Sequence, residues 1–177
     1  MRSALVLLAA AGAVLAPAAL RAELPEEAPA GISGYRLARP GVAVGGLPSR
    51  AALEELQKAG LKTVVDVRTE AEGTKAAEAV AKELGLRYVT VPVTPATFSV
   101  ADAEAVRKVL DDAEAGPVLV HCASSNRVGG VFAVIESLKG KTPDVAMAEG
   151  RRLGLHSAPM IEAVRRVTSE AAPSEER

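Results

Sequence analysis

The chain has 177 residues, 49% of them hydrophobic and 24% charged, a balance that supports one globular domain and excludes a disordered or fibrous polypeptide. With 21 Lys and Arg against 22 Asp and Glu, and with Tyr35, Tyr88, Phe98 and Phe132 as the whole aromatic complement, it offers neither a basic field nor a stacking platform, so nucleic acid is not expected as a partner. One Cys and two His exclude a structural zinc site and an internal disulfide, and no metal is expected.

Residues 1–22 begin with one positive charge, Arg2, and continue uncharged from Ser3 to Leu20 into small residues. That is the pattern of a secretory signal peptide, cleaved after Ala18 or after Ala22. A membrane anchor is the competing reading, but the Ala content and Pro17 argue against it. An exported, periplasmic or secreted protein is expected, with no membrane span after cleavage. Residues 23–33, rich in Pro, Glu and Ala without periodicity, read as a linker to a single domain over 34–170, with a disordered polar tail at 171–177.

Within the domain, strand and helix signals alternate. Val42-Ala43-Val44 is a short strand ending at Gly45-Gly46; a helix follows from its N-cap Ser49 to Gly60. Leu61–Val67 is a second strand, Thr74–Leu84 a helix and Arg87–Val93 an alternating strand. Ser99, with Asp102 three residues on, caps a helix to Ala115. After the Gly116-Pro117 turn, Val118-Leu119-Val120-His121 has the look of a buried central strand, and Val128–Leu138 that of a buried helix, where Gly129 and Gly130 permit close packing against the sheet. Thr142-Pro143 and Ser157 open two last helices. The spacing predicts an α/β fold: a central, mostly parallel sheet of four to five strands with helices on both faces.

In such sheets the site lies beyond the carboxyl ends of the strands, where the strand ending at His121 delivers Cys122. The loop Ala123-Ser124-Ser125-Asn126-Arg127 then runs into a helix whose N-terminus carries roughly half a positive charge. Arg127 offers a planar fork to an oxyanion. Loop amides, helix end and guanidinium together form an anion cradle, and the same field favours the thiolate of Cys122. His121 points to the other side of the strand and is expected to order the loop. A small buried hydrophobe is the plainer reading of a single Cys, but strand, Cys, polar loop, Arg and helix coincide here.

His121-Cys122-Ala123-Ser124-Ser125-Asn126-Arg127-Val128-Gly129 resembles the active-site loop of the bacterial tyrosine and dual-specificity phosphatase-like proteins, in particular the beta-lactamase-hydrolase-like, phosphatase-like domain group. Gly46-Leu47-Pro48-Ser49, Thr63-Val64-Val65-Asp66-Val67-Arg68 and Tyr88-Val89-Thr90-Val91-Pro92-Val93 resemble that group's other landmarks, in order. The resemblance covers about residues 40–135 and implies a cysteine-phosphatase fold, Cys122 as nucleophile, and Arg127 with the loop 123–126 binding the phosphoryl oxygens of a small anionic substrate or phosphorylated molecule.

Three departures bear on the activity. Four residues separate Cys122 from Arg127, where the better known phosphatases have five and rhodanese-type sulfurtransferases have this shorter loop. Val128 follows Arg127, where many relatives carry a hydroxyl; Ser124 or Ser125 is the available substitute. Thr94-Pro95-Ala96-Thr97 lacks the general-acid Asp; Asp102 is the nearest candidate, with spacing that suits a cap. Without the acid, about 10²–10⁴ in rate, a phosphatase is confined to good leaving groups. A sulfurtransferase carrying a persulfide on Cys122 and an anion- or partner-binding module are the other readings. Asp66 and Arg68 are expected beside the site, either positioning the loop or substrate or closing a strand end as an ion pair. No glycine pattern or Walker loop supports a nucleotide cofactor.

Overall fold

The computed structural model describes residues 23–171; the segment read as a signal peptide and the tail beyond Ala171 lie outside the described residues. Strands β1 (Arg36–Arg39), β2 (Val42–Gly45), β3 (Thr63–Asp66), β4 (Arg87–Thr90) and β5 (Val118–His121) form one sheet in the order β1-β2-β5-β3-β4. Every neighbouring pair is parallel except β1–β2. Helices α1 (Arg50–Lys58), α2 (Thr74–Glu83), α3 (Val100–Asp111), α4 (Asn126–Leu138), α5 (Pro143–Arg152) and α6 (Ala158–Ala171) complete the fold. None of them is long and apolar enough to cross a membrane.

Period-two alternation explains the two layers of core. Val42, Val44, Val65, Val118 and Val120 face one way and join residues of α3, α4 and α6 in one cluster; Ala43, Val64 and Leu119 face the other way and meet α1 and α2. The inner strands β2, β5 and β3 are buried throughout, while edge strands β1 and β4 are not. The caps form as read: Ser49 Oγ accepts from the Ala52 amide at 3.1 Å, and Ser99 and Asp102 exchange bonds as a capping box.

Four expectations are corrected. Strand β1 was not anticipated. Strand β4 ends its regular ladder at Thr90 rather than Val93, although the Val91 and Val93 amides still reach the Asp66 and Val67 carbonyls at 3.0 Å. Pro92, lacking an N–H, is tolerated because β4 is an edge strand. Residues 23–33 do not behave as a solvated linker: Leu24 and Ile32 are buried in the α1/α2 cluster, and Tyr35 donates its hydroxyl to the Pro25 carbonyl at 2.7 Å. Finally, Gly129 and Gly130 admit helices rather than the sheet. A Cβ on Gly129 would stand 2.5 Å from the Gly150 carbonyl oxygen of α5, and one on Gly130 would meet Met160 of α6.

Candidate active site

Alternation along β5 sends His121 and Cys122 to opposite faces. Cys122 joins the cluster under α4 and is 1% exposed, so its sulfur is packed as a core group at the base of the loop. His121 is buried on the α1/α2 side, its Nδ1 3.3 Å from the Cys122 carbonyl oxygen and its Nε2 3.6 Å from Asp66. Burial lowers its pKa against the opposing pull of Asp66, which suits a neutral ring that orders the loop.

The loop is fixed at its edges and open within. Its first residues pair with the Gly45–Leu47 segment: the Cys122 amide donates to the Gly45 carbonyl and the Leu47 amide to the Ala123 carbonyl, each at 3.3 Å, with a bridge between Gly46 and Ser124. Ser125 adopts the left-handed conformation (φ 67°), the one non-glycine residue to do so among the described residues. By contrast, the amides of residues 123–128 have no protein acceptor among the described residues. They ring Cys122 at the start of the 13-residue helix α4. Such an arrangement of amides can receive an anion above the sulfur.

Two loop side chains do not face an anion. Asn126 Oδ1 accepts from the His156 and Ser157 amides at 2.9 and 3.0 Å while its Nδ2 donates to Ser157 Oγ at 2.8 Å, bolting the loop to the α5–α6 turn. Ser125 is buried, with its hydroxyl donating to the Gly34 carbonyl at 3.3 Å. Ser124 is therefore the only exposed hydroxyl of the loop. Asp102 is engaged in its cap through Ser99 N and Oγ at 2.9 and 2.8 Å, as its spacing suggested.

The residue that sequence reasoning passed over is Glu72. It lies in a short 3-10 turn, Glu70–Glu72, after β3, and its carboxylate accepts from Arg127 Nη1 and Nη2 at 2.7 and 2.6 Å. Arg127 Nη1 also donates to the Val93 carbonyl at 3.3 Å. Of the five guanidinium N–H groups, these bonds occupy both on Nη1 and the end-facing one on Nη2. Nε–H and the second Nη2–H share the remaining edge, which is the geometry of a bidentate fork for an oxyanion. Glu72 thus holds the guanidinium without filling its receiving edge. The Arg127 bonds drive the Glu72 carboxyl down to about 2; those bonds, with the nearby Cys122 sulfur, raise Arg127 in turn. A local signal was present, since Thr69-Glu70-Ala71-Glu72 is a capping-box spacing.

Asp66 and Arg68 form a buried pair at the end of β3, Nη2 to Oδ2 at 2.7 Å, joined by the Tyr88 hydroxyl at 2.6 Å. Burial disfavours the Asp66 charge, but the bonds from Arg68 and Tyr88 bring its pKa below the ordinary value. The pair lies beneath the turn that carries Glu72, because Arg68 Nη1 donates to the Glu72 carbonyl at 2.9 Å.

A mostly parallel sheet with a cysteine at the end of its middle strand, a ring of open amides and a half-buried arginine defines a phosphatase-type architecture. Residues 37–152 match the family model described as DSP-PTPase phosphatase fused to NAD+ kinase, and the chain belongs to that family. A beta-lactamase hydrolase-like protein of Xylella fastidiosa is 30% identical over 105 residues, 56% of this chain and 24% of its own length. The chain thus spans about a quarter of that curated relative. The fold is shared with TpbA of P. aeruginosa (TM-score 0.62, 21% identity, 81% of this chain and 92% of that one). It is also shared with the PP-IP phosphatase SIW14 of S. cerevisiae, solved with citrate (TM-score 0.64, 14% identity, 77% and 86%). A further TpbA structure contains phosphotyrosine (TM-score 0.56, 21% identity, 72% and 77%).

Proposed function

We propose that this phosphatase-family protein hydrolyses phosphomonoesters through Cys122, with Arg127 as the oxyanion clamp. The observation that carries the reading is the open ring of amides at residues 123–128 around Cys122, beside the free Nε/Nη2 edge of Arg127. The Cys122 thiolate attacks phosphorus, an S–P bond forms, and the P–O bond to the leaving group breaks with its electron pair on oxygen. Amides and guanidinium bear the charge on the three equatorial oxygens. Water then attacks the phosphocysteine, the P–S bond breaks, the thiolate is restored, and the water proton passes to solvent as phosphate leaves.

Among the described residues, the two candidate carboxylates for protonating a leaving group are engaged: Glu72 is ionised against Arg127 and Asp102 is held in its cap. Substrates with acidic leaving groups are therefore favoured. The citrate and phosphotyrosine in the neighbouring structures support a small anionic or phosphorylated ligand. The signal-peptide pattern of residues 1–22 supports action outside the cytoplasm.

The test pairs an activated aryl phosphate with thiosulfate plus cyanide, each on wild type and Cys122→Ser. The expected result is phosphate release by wild type, its loss in the variant, and a trapped adduct on Cys122 by mass spectrometry. Thiocyanate without phosphate release assigns sulfur transfer, which the four-residue loop favours, and overturns phosphate hydrolysis. Anion binding with neither turnover leaves a binding module.

A further inference from the structure

We infer that Arg68 is a positioning residue for Arg127, acting at a distance through Glu72; this rests on the phosphatase reading above. A pair serving only to close a strand end would be complete between Asp66 and Arg68. Oδ1 accepts the Arg68 amide and Nε at 2.9 and 3.1 Å, and Oδ2 accepts Nε and Nη2 at 3.0 and 2.7 Å. Arg68 nevertheless extends Nη1 away from Asp66 to the main-chain carbonyl of Glu72.

That bond matters because of where it acts. None of the three residues of the Glu70–Glu72 turn is buried, so apolar packing does not set the turn's position. Gly73 beyond it is left-handed (φ 87°) and exposed. The turn is held by polar bonds: Arg68 grips the Glu72 carbonyl from below, while Thr69 N and Oγ1 hold Glu72 Oε2 at 2.9 and 3.0 Å. With main chain and carboxylate both fixed, Glu72 presents two oxygens to the end of the Arg127 guanidinium and leaves the adjacent Nε/Nη2 edge unfilled beside Cys122. Arg68 is 4% exposed, and Asp66 fully buried, so the base of this relay is rigid. The chain of bonds runs from Tyr88 and Asp66 through Arg68 and Glu72 to Arg127, joining the α1/α2 face of the sheet to the mouth of the site.

Arg68→Lys separates positioning from folding, because lysine keeps the charge opposite Asp66 but lacks the planar fork needed to serve Asp66 and Glu72 together. The experiment measures aryl phosphate turnover and tungstate affinity for wild type, Arg68→Lys, Glu72→Gln and the double variant, with thermal unfolding and the order of the Arg127 Nε–H by NMR. Arg68→Lys is expected to lower kcat about tenfold with KM changed about twofold or less, and to weaken tungstate binding by a similar factor. The double variant should be no worse than Glu72→Gln alone, since both act on one connection. Multiplying losses, or a lower Tm with unchanged kcat, tungstate affinity and Nε–H order, overturn the inference. Wild type that neither turns over nor binds tungstate removes the phosphatase reading; the Nε–H measurement still decides whether Arg68 governs Arg127. Loss of that order in Arg68→Lys sustains the positional claim, and its persistence overturns it.

Discussion

The two strand-to-helix turns that meet at the mouth of the site, β5 to α4 and β3 to α2, use their polar groups in opposite ways. In the first, successive amides are left without a protein partner. In the second, Asp66, Arg68, Thr69 and Glu72 bond to one another and then to Arg127. One turn leaves its donors open, and the other spends its polar groups on one another and on Arg127. Open donors are stable at a helix N-terminus, where solvent or an anion completes them. The internally bonded turn is the more rigid because little remains for solvent to contest.

Replacing Arg127 should break the contrast most severely. Arg127→Lys keeps the charge but removes both the fork for an oxyanion and the end-on grip of Glu72, and kcat/KM on an aryl phosphate should fall about 10²–10³-fold. Next is Gly129→Ala, whose new methyl carbon would lie 2.3 Å from the Leu155 amide nitrogen. It should displace α4 from α5 and cost about 1–3 kcal/mol in denaturant unfolding, disturbing the β5–α4 turn while sparing the other.

The β3–α2 turn is sharpened by acid. The Glu72 carboxyl is depressed from 4.5 to about 2, so its ion-pair contribution is complete above its unfolded value and is lost as pH falls from about 4.5 towards 2. The stability gap between wild type and Glu72→Gln should shrink across that window, and modestly, since about a third of the Glu72 side chain is exposed. A gap that stays constant would remove the pair as its cause. The smallest effect is expected at Ser125→Gly, where relief of the left-handed backbone, about 1 kcal/mol, is offset by lost side-chain contact with Gly34 and Gly154. Activity should persist with unfolding free energy within about 1 kcal/mol of wild type.

The contrast also marks what could be read from the chain. The β5–α4 turn is local: strand, Cys122, short loop, Arg127 and helix follow one another, and that arrangement was legible. The inner strands were legible because buried runs such as Val118–His121 carry their own signal. Glu72 was not, because its partner lies 55 residues away and a capping-box spacing says nothing about where the carboxylate points. Strand β1, although it pairs with β2 across only Pro40-Gly41, escaped because its own residues carry little strand signal. Arg36-Leu37-Ala38-Arg39 lacks β-branched residues, and its Leu37 and Ala38 carbonyls are met by Arg152, more than a hundred residues on. Asn126 had the right place and a different task, visible only once the α5–α6 turn folds back onto it.

The packed N-terminal arm has a consequence for where the folding unit begins. Ser33 accepts the Gly46 amide at 2.7 Å, Gly31 accepts the Ser49 amide at 3.0 Å, and Gly34 accepts the Ser125 hydroxyl, so residues 31–34 brace the two segments that frame Cys122. A chain trimmed to start at residue 35 would uncover the pocket filled by Leu24 and Ile32 and strip these braces from the sheet's working edge. A cut between this arm and β1 would therefore loosen the loop around Cys122 without touching any residue of the loop itself.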